Sequence, residues 1–338
     1  MAPASTPEHF IRLQDLSDQQ VEDVIDLASR LKRGVTRNEL VGQSLGMLFF
    51  RGSLRTRTSL EVAAYQLGGN TVNLNAATDF WELESRPGRG MDGSAPEHIR
   101  DAAAVLSTYL QALAIRPALD GRQWQLDRQD SSIKAWAEHA GVPVINMESA
   151  LWHPLQALAD LFTLREGLGS LAGKRLAIQW TQSPTPSSPS VVHSILLAAL
   201  RSGMDVSVAH PTGFDLDEGV TAEAASVARE RGCQLALGTS AEDAAEGAHV
   251  VYARSWWSLE SYGNPTLAAS RLARGAGWLV DERLLQRGHE TRVMHPMPVR
   301  RNVEITDEVL DGPRSLLIAQ AANRLYTQKG LLSLLLRS

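Results

Sequence analysis

Ser53-Leu54-Arg55-Thr56-Arg57-Thr58 places two guanidinium groups and three hydroxyls within six residues. Such a density of charge-assisted donors suits an anion. The apolar run Leu45-Gly46-Met47-Leu48-Phe49-Phe50 before it reads as a buried strand. After it Leu60, Ala63, Ala64 and Leu67 fall at helical spacing, and Gly68-Gly69 supplies a stop. The hexapeptide therefore lies where a strand turns into a helix. Backbone N–H groups there are unpaired and the helix dipole is positive. By itself Arg-Thr-Arg is a solvated basic turn; its place at this junction makes it a phosphate cradle.

Three further constellations accompany it. His153-Pro154-Leu155-Gln156 follows Glu148 at the start of a helix, and a histidine beside a phosphate loop is a candidate donor to a substrate carbonyl. In His295-Pro296-Met297-Pro298 the prolines leave carbonyls outside any ladder, free to accept from an amide NH2. Val299-Arg300-Arg301-Asn302 then offers more cations, and Asn323-Arg324 opens the last helix.

Other chemistries lack their residues. The strand ending at Trp180 leads into Thr181-Gln182-Ser183-Pro184 with no G-x-G-x-x-G, which opposes a nicotinamide-linked oxidoreductase. There is no triphosphate-binding G-x-x-x-x-G-K-[ST] loop and no G-x-S-x-G elbow. The 9 histidines are scattered without metal-ligand spacing, so no metal site and no cofactor is expected.

The whole chain narrows the class. Its 338 residues are enough for two domains, and 43% apolar with 21% charged residues is a soluble, core-forming balance. A net charge of −5 opposes a nucleic-acid surface. The one cysteine, Cys233, cannot close an internal disulfide and suits a reducing compartment. Met1 to Pro7 has neither a basic nor an apolar leader segment, and no apolar run is long enough for a membrane span. The expectation is a cytoplasmic protein with no membrane partner.

In chain order, residues 8–34 read as helical, and residues 71–75 alternate like a strand. Residues 76–97, with Pro87, Gly88, Gly90, Gly93 and Pro96, are too broken for regular structure. A loop of that length carrying Trp81 reads as functional. A helix over 98–110, a strand over 113–115 ending on Arg116, a helix over 131–140 and a strand over 142–146 follow. Helical spacing returns over 155–166, where the domain boundary is placed. Strands are expected at 175–180, 205–210, 234–237, 249–253 and 293–294, with helices at 189–201 and 219–231. Ser240-Ala241-Glu242-Asp243 reads as a capping box. Alternating strands and helices imply parallel βαβ units in a doubly wound α/β fold. The expected domains are 1–150, which binds the phosphate compound, 151–318, and a C-terminal helix 319–338 packing back on the first. Ligands of such sheets bind at strand carboxyl ends, where the 53–58 loop, Arg116, Glu148 to Gln156, Trp180 to Ser183, Arg254 to Trp256 and His295 to Arg301 all fall.

The 53–58 loop, the His153-Pro154-Leu155-Gln156 segment and the 295–298 turn together resemble the aspartate/ornithine carbamoyltransferase family over essentially the whole chain. The resemblance implies two α/β domains, carbamoyl phosphate bound by the first and the amino acceptor by the second. It also implies a homotrimer with active sites at subunit interfaces and a role in arginine biosynthesis. Trp81, Met91-Asp92-Gly93, Asn146-Met147-Glu148 and Pro298-Val299-Arg300-Arg301-Asn302 are similar to the branch that acts on Nα-acylated ornithine. Carried over, carbamoyl phosphate meets Ser53, Leu54, Arg55, Thr56, Arg116, His153, Gln156, Pro296, Met297 and Arg324, with Arg55, Thr56, Arg116 and His153 catalytic and Pro154 and Leu155 among the substrate-binding residues. Trp81 reaches the adjacent subunit's site, and Glu148, Arg254 and Arg300 meet the acyl-ornithine. Departures are Arg254 for a lysine, Ser183 for a histidine, Pro296 for a cysteine and Glu304 for a lysine. Pro96 stands where acetyl-ornithine relatives look to have glutamate and succinyl-ornithine relatives proline, so the expected acceptor is N-succinyl-L-ornithine. The alternatives are N-acetyl-L-ornithine and a regulatory paralogue without turnover.

Overall fold

A computed structural model describes residues 7–86, 88–275 and 277–336. The expectations about the leader residues up to Thr6 and about Pro87 fall outside them. The chain divides into two compact units. One contains the chain up to Asp120, Leu126–Leu158 and the segment from Asn323 onward; the other contains Gly121–Gln125 and Ala159–Ala322.

In the first unit α1 (Asp18–Lys32) starts at a reciprocal cap of Ser17 and Gln20. The helix is thus shorter than the periodicity over 8–34 suggests, and a single 3-10 turn at Leu13–Asp15 precedes it. Next come β1 (Ser44–Phe49), α2 (Arg55–Gln66), β2 (Asn70–Asn75), β3 (Leu83–Glu84), β4 (Glu97–His98), α3 (Ile99–Tyr109), β5 (Ala112–Arg116), α4 (Trp124–Asp127), α5 (Ser131–His139), β6 (Val144–Asn146) and α6 (Pro154–Leu168). The order β2-β1-β5-β6 is parallel throughout. Continuous apolar strands are what a sheet covered on both faces requires, and Leu45, Met47, Leu48 and Ala112 to Ile115 are all buried. Gly46 is needed for close packing, because a Cβ there would lie 2.5 Å from Leu110 Cδ1. Leu48, Ile99, Ala103, Leu113, Ile115, Ile133, Trp136 and Val144 form one core. The stretch expected to be irregular contains a small parallel ribbon, β3 with β4.

The second unit holds β7 (Arg175–Trp180), α7 (Ser190–Arg201), β8 (Asp205–Ala209), α8 (Glu218–Arg231), β9 (Leu235–Gly238), α9 (Ala241–Ala245), β10 (Val250–Arg254), α10 (Pro265–Arg274), α11 (Glu282–Leu285), β11 (Arg292–Met294) and α12 (Asp307–Asp311). Helix α13 (Leu317–Leu335), like α4 and α6, contributes residues to both units. The order β11-β10-β7-β8-β9 is again parallel. Of the proposed capping box at α9, Ser240 accepts from Asp243 N at 3.1 Å. In each sheet the strand order reverses once, between β1 and β5 and between β7 and β10. The carboxyl ends beside those reversals are the favoured ligand positions of such sheets.

Candidate active site

In the first unit, the chain leaving β1 runs through Phe50 to Ser53 into α2. Leu54, at the N-cap position and 74% exposed, has no side chain able to cap. The first N–H groups of a 12-residue helix are thereby left for an anion. Thr56 is buried there, and its Oγ1 accepts from Arg324 Nη2 at 2.6 Å. Arg324 Nη1 donates to Gln156 Oε1 at 2.6 Å. One buried guanidinium on α13 thus ties α2 to α6. Arg116, the last residue of β5, points Nη1 at Ser53 Oγ at 3.5 Å and Nη2 at Glu148 Oε2 at 2.5 Å. Glu148 adopts φ 154, and Arg51 Nη2 donates to its carbonyl at 2.7 Å. Buried His153 directly precedes α6, with Pro154 at its first position and Leu155 turned into the core.

In the second unit, His295 follows β11 and is wholly buried. Its N–H donates to Gln320 Oε1 at 2.9 Å, and its Nδ1 accepts from Met297 N at 2.9 Å. With Nδ1 accepting, Nε2 carries the proton, and it faces Glu304 Oε1 at 3.5 Å. Pro296 is buried, Met297 is half-buried, and the Met297–Pro298 peptide is cis. Glu304 accepts from Arg300 N at 2.8 Å and from Thr181 Oγ1 at 3.3 Å. Burial works to raise its carboxyl, but the contact with His295, the Arg300 amide and the Arg254 charge together hold it below the usual carboxylate value. Arg300 donates from Nε to Ser183 Oγ at 3.2 Å and from Nη2 to Thr185 Oγ1 at 2.7 Å. Arg254, ending β10, is 6% exposed, and its Nε has no hydrogen-bond partner among the described residues.

Ser53, Thr56, Arg116, Glu148, Gln156 and Arg324 are thus connected within one unit, with Arg55 opening α2. Ser183, Arg254, Arg300 and Glu304 gather with His295 in the other. Trp81 and Pro96 stand apart: Trp81 is 58% exposed with Nε1 on Glu97 Oε2 at 2.8 Å, and Pro96 is exposed. Two of the expected cations are engaged elsewhere. Arg57 lies over the Phe49 ring at 5.0 Å, and Arg301 pairs with Asp307 and Asp311, each at 2.7 Å. Sequence reasoning missed Arg51, although a charge at the end of β1 was a signal. It also missed buried Asp160, which accepts from Tyr252 Oη at 2.8 Å and from Gln320 Nε2 at 2.7 Å. Burial first, and Asp160 next, push the Tyr252 hydroxyl far above its usual value. This network supports the Gln320 that holds His295.

Residues 8–166 match the carbamoyl-phosphate-binding domain of aspartate/ornithine carbamoyltransferases, and residues 187–335 match their Asp/Orn-binding domain. The N-acetylornithine carbamoyltransferase of Xanthomonas campestris pv. campestris is 38% identical over 97% of this chain and 97% of its own. An ornithine carbamoyltransferase of Gloeobacter violaceus is 36% identical over 97% of this chain and 95% of its own. An acetylornithine transcarbamylase crystallised with acetylcitrulline superposes with a TM-score of 0.94 at 38% identity, covering 97% and 98% of the two chains. A glutamate-to-proline variant of N-acetyl-L-ornithine transcarbamylase, bound to carbamyl phosphate and N-succinyl-L-norvaline, gives the same TM-score of 0.94, covering 97% of this chain and 99% of its own. The parallel two-unit fold and these matches define a carbamoyltransferase. The chain belongs to the aspartate/ornithine carbamoyltransferase family.

Proposed function

We propose that this enzyme transfers the carbamoyl group of carbamoyl phosphate to the δ-amine of N-succinyl-L-ornithine, giving N-succinyl-L-citrulline and phosphate, as a cytoplasmic step of arginine biosynthesis. The observation that carries the phosphate half is Arg324 bonded to Thr56 and Gln156 at the uncapped start of α2. Arg55, Arg116 and Arg324 hold the phosphate. Thr56, Arg116 and His153 stabilise the oxyanion that forms as the amine nitrogen bonds to the carbamoyl carbon, and each such donor contributes roughly 3 kcal/mol. The carbon–oxygen bond to phosphate then breaks, and the departing phosphate takes the amine's proton. Ser53, Leu54, Gln156, Pro296 and Met297 complete the carbamoyl phosphate contacts, with Pro154 and Leu155 also lining the substrate site. Glu148, Arg254 and Arg300 meet the acyl-ornithine.

Pro96 supports the succinyl acceptor. A glutamate at that position would place a carboxylate near the succinyl carboxylate, and like charges so juxtaposed cost several kcal/mol. The relative carrying a glutamate-to-proline change was crystallised with a succinyl compound, which fits this reading. Exposed Trp81 suits a homotrimer in which it serves the neighbouring subunit's site. The test is kcat/KM for N-succinyl- and N-acetyl-L-ornithine in the wild type and in Pro96→Glu. The substitution is expected to move preference towards acetyl, and an unchanged ratio would refute the role of Pro96.

A further inference from the structure

Residues 148 to 153 carry two of the side chains assigned to the substrates, and a buried carboxylate outside every assigned group holds that turn. Asp130 sits immediately before α5 with φ 51 and ψ 34, a left-handed conformation that aspartate tolerates. It occupies the N-cap position, yet its side chain makes no cap bond to its own helix. The carboxylate turns instead to the loop after β6. Oδ2 accepts from Ser149 Oγ at 2.6 Å, while Oδ1 accepts from Ala150 N at 3.0 Å and from Leu151 N at 3.4 Å.

From there the bonds run to both ends of the turn. Ser149 Oγ accepts from Asn146 Nδ2 at 2.9 Å and from Trp152 N at 3.3 Å. Asn146 Oδ1 accepts from Glu148 N at 3.0 Å. Glu148, at φ 154, therefore has its amide fixed from one side, and the residue just before His153 is fixed from the other. Asp130 is 6% exposed. Burial raises its carboxyl to about 6, against the opposing pull of the Ser149, Leu151 and Ala150 bonds and the Lys134 charge. A charge kept buried at that cost is better explained by the geometry it imposes than by stability.

We propose that Asp130 is a positioning residue for carbamoyl transfer, its carboxylate setting the turn that presents Glu148 and His153. The inference rests on the reading that those two residues meet the substrates. Asp130→Asn keeps an oxygen for the Ala150 and Leu151 amides, offers an NH2 to Ser149 Oγ, and suits the left-handed backbone. Asp130→Leu fills the space without an acceptor. The Asn variant is expected to retain kcat within about threefold, and the Leu variant to lose about tenfold or more, since misplaced reacting groups cost rate steeply. Ser149→Ala, which cuts the link to Asn146 and Trp152, is expected to lower kcat in the same direction if the Leu variant does not fold. Each kcat is taken per folded enzyme, from circular dichroism.

Hydrogen exchange at the Ala150 and Leu151 amides gives a readout independent of turnover. It is expected to accelerate in Asp130→Leu but not in Asp130→Asn. Unchanged kcat and unchanged exchange in the Leu and Ala variants would overturn the proposal, as would lower thermal stability with kcat per folded enzyme intact. A wild type that carbamoylates neither acyl-ornithine would instead refute the functional reading, leaving amide exchange to decide whether Asp130 holds the turn.

Discussion

Replacing Glu304 by leucine removes a carboxylate that serves several groups of the second unit at once. The Arg300 amide at 2.8 Å and the Thr181 hydroxyl at 3.3 Å lose their acceptor. His295 Nε2, at 3.5 Å, loses the charge it faces, and buried Arg254 loses a compensating one. A buried donor left without its acceptor costs about 1–3 kcal/mol, and the Arg300 amide and the Thr181 hydroxyl are both left so. Taking about 3 kcal/mol for the two donors together, the melting temperature of a unit this size is expected to fall by about 6–12 °C. Glu304→Gln, which keeps the shape and one oxygen, is expected to fall by less.

The effect depends on pH with a definite sign. The folded carboxyl lies below its ordinary value, so on acidification the unfolded chain takes up the proton first. The stabilisation is fully present above the unfolded value and is lost as pH falls through the folded one. Thermal unfolding at neutral pH and at about pH 4, followed by tryptophan fluorescence, checks both parts. The gap between wild type and Glu304→Gln is expected to narrow at the lower pH. An equal gap at both, or no loss for Glu304→Leu at neutral pH, would refute the anchoring role.

Three shorter expectations follow from other residues. Gln328 is wholly buried, and neither its Oε1 nor its Nε2 has a hydrogen-bond partner among the described residues. Gln328→Met is expected to stabilise by about 1–3 kcal/mol, and a lowered melting temperature would contradict it. Mixing Trp81→Ala with Arg55→Ala subunits is expected to recover activity through mixed trimers; no recovery under conditions that demonstrably exchange subunits would refute a shared site. The acceptor amine, with a lysine-like pKa of about 10.4, must lose its proton to attack, so kcat/KM is expected to rise from neutral towards alkaline pH, and a flat profile would contradict this.

What could be read in the sequence was chemistry confined to short stretches. The phosphate loop, Arg116, Glu148 and the 295–298 turn each sit at a strand's carboxyl end, and strand ends are marked locally by an apolar run giving way to polar residues. Contacts made across long separations left no such mark. Asp160 bonds to Gln320 and Tyr252 at sequence separations of 160 and 92. Trp124, whose Nε1 donates to Asp217 Oδ2 at 2.7 Å, carries a five-residue segment of the first half into the second unit. Asp130 carries no mark in the sequence, because nothing local shows a carboxylate turned away from the helix it precedes. Cations were over-counted for the same reason: Arg57 and Arg301 carry the right charge, but Phe49 and the Asp307–Asp311 pair are what they meet. Helix α10 was legible but overlooked: Asn264 caps it through Leu267 N and Pro265 opens it, with Ala268, Ala269 and Leu272 at helical spacing, although none of its residues is buried.

Incubating the purified enzyme with carbamoyl phosphate and, in turn, N-succinyl-L-ornithine, N-acetyl-L-ornithine and L-ornithine, and measuring ureido product and inorganic phosphate together, tests the transfer and its acceptor at once. Equimolar product and phosphate with the acylated acceptors, a higher kcat/KM for the succinyl compound, and little turnover of free ornithine are expected. Turnover of free ornithine at least equal to that of either acylated form, or no ureido product from any of the three, would contradict the proposed function.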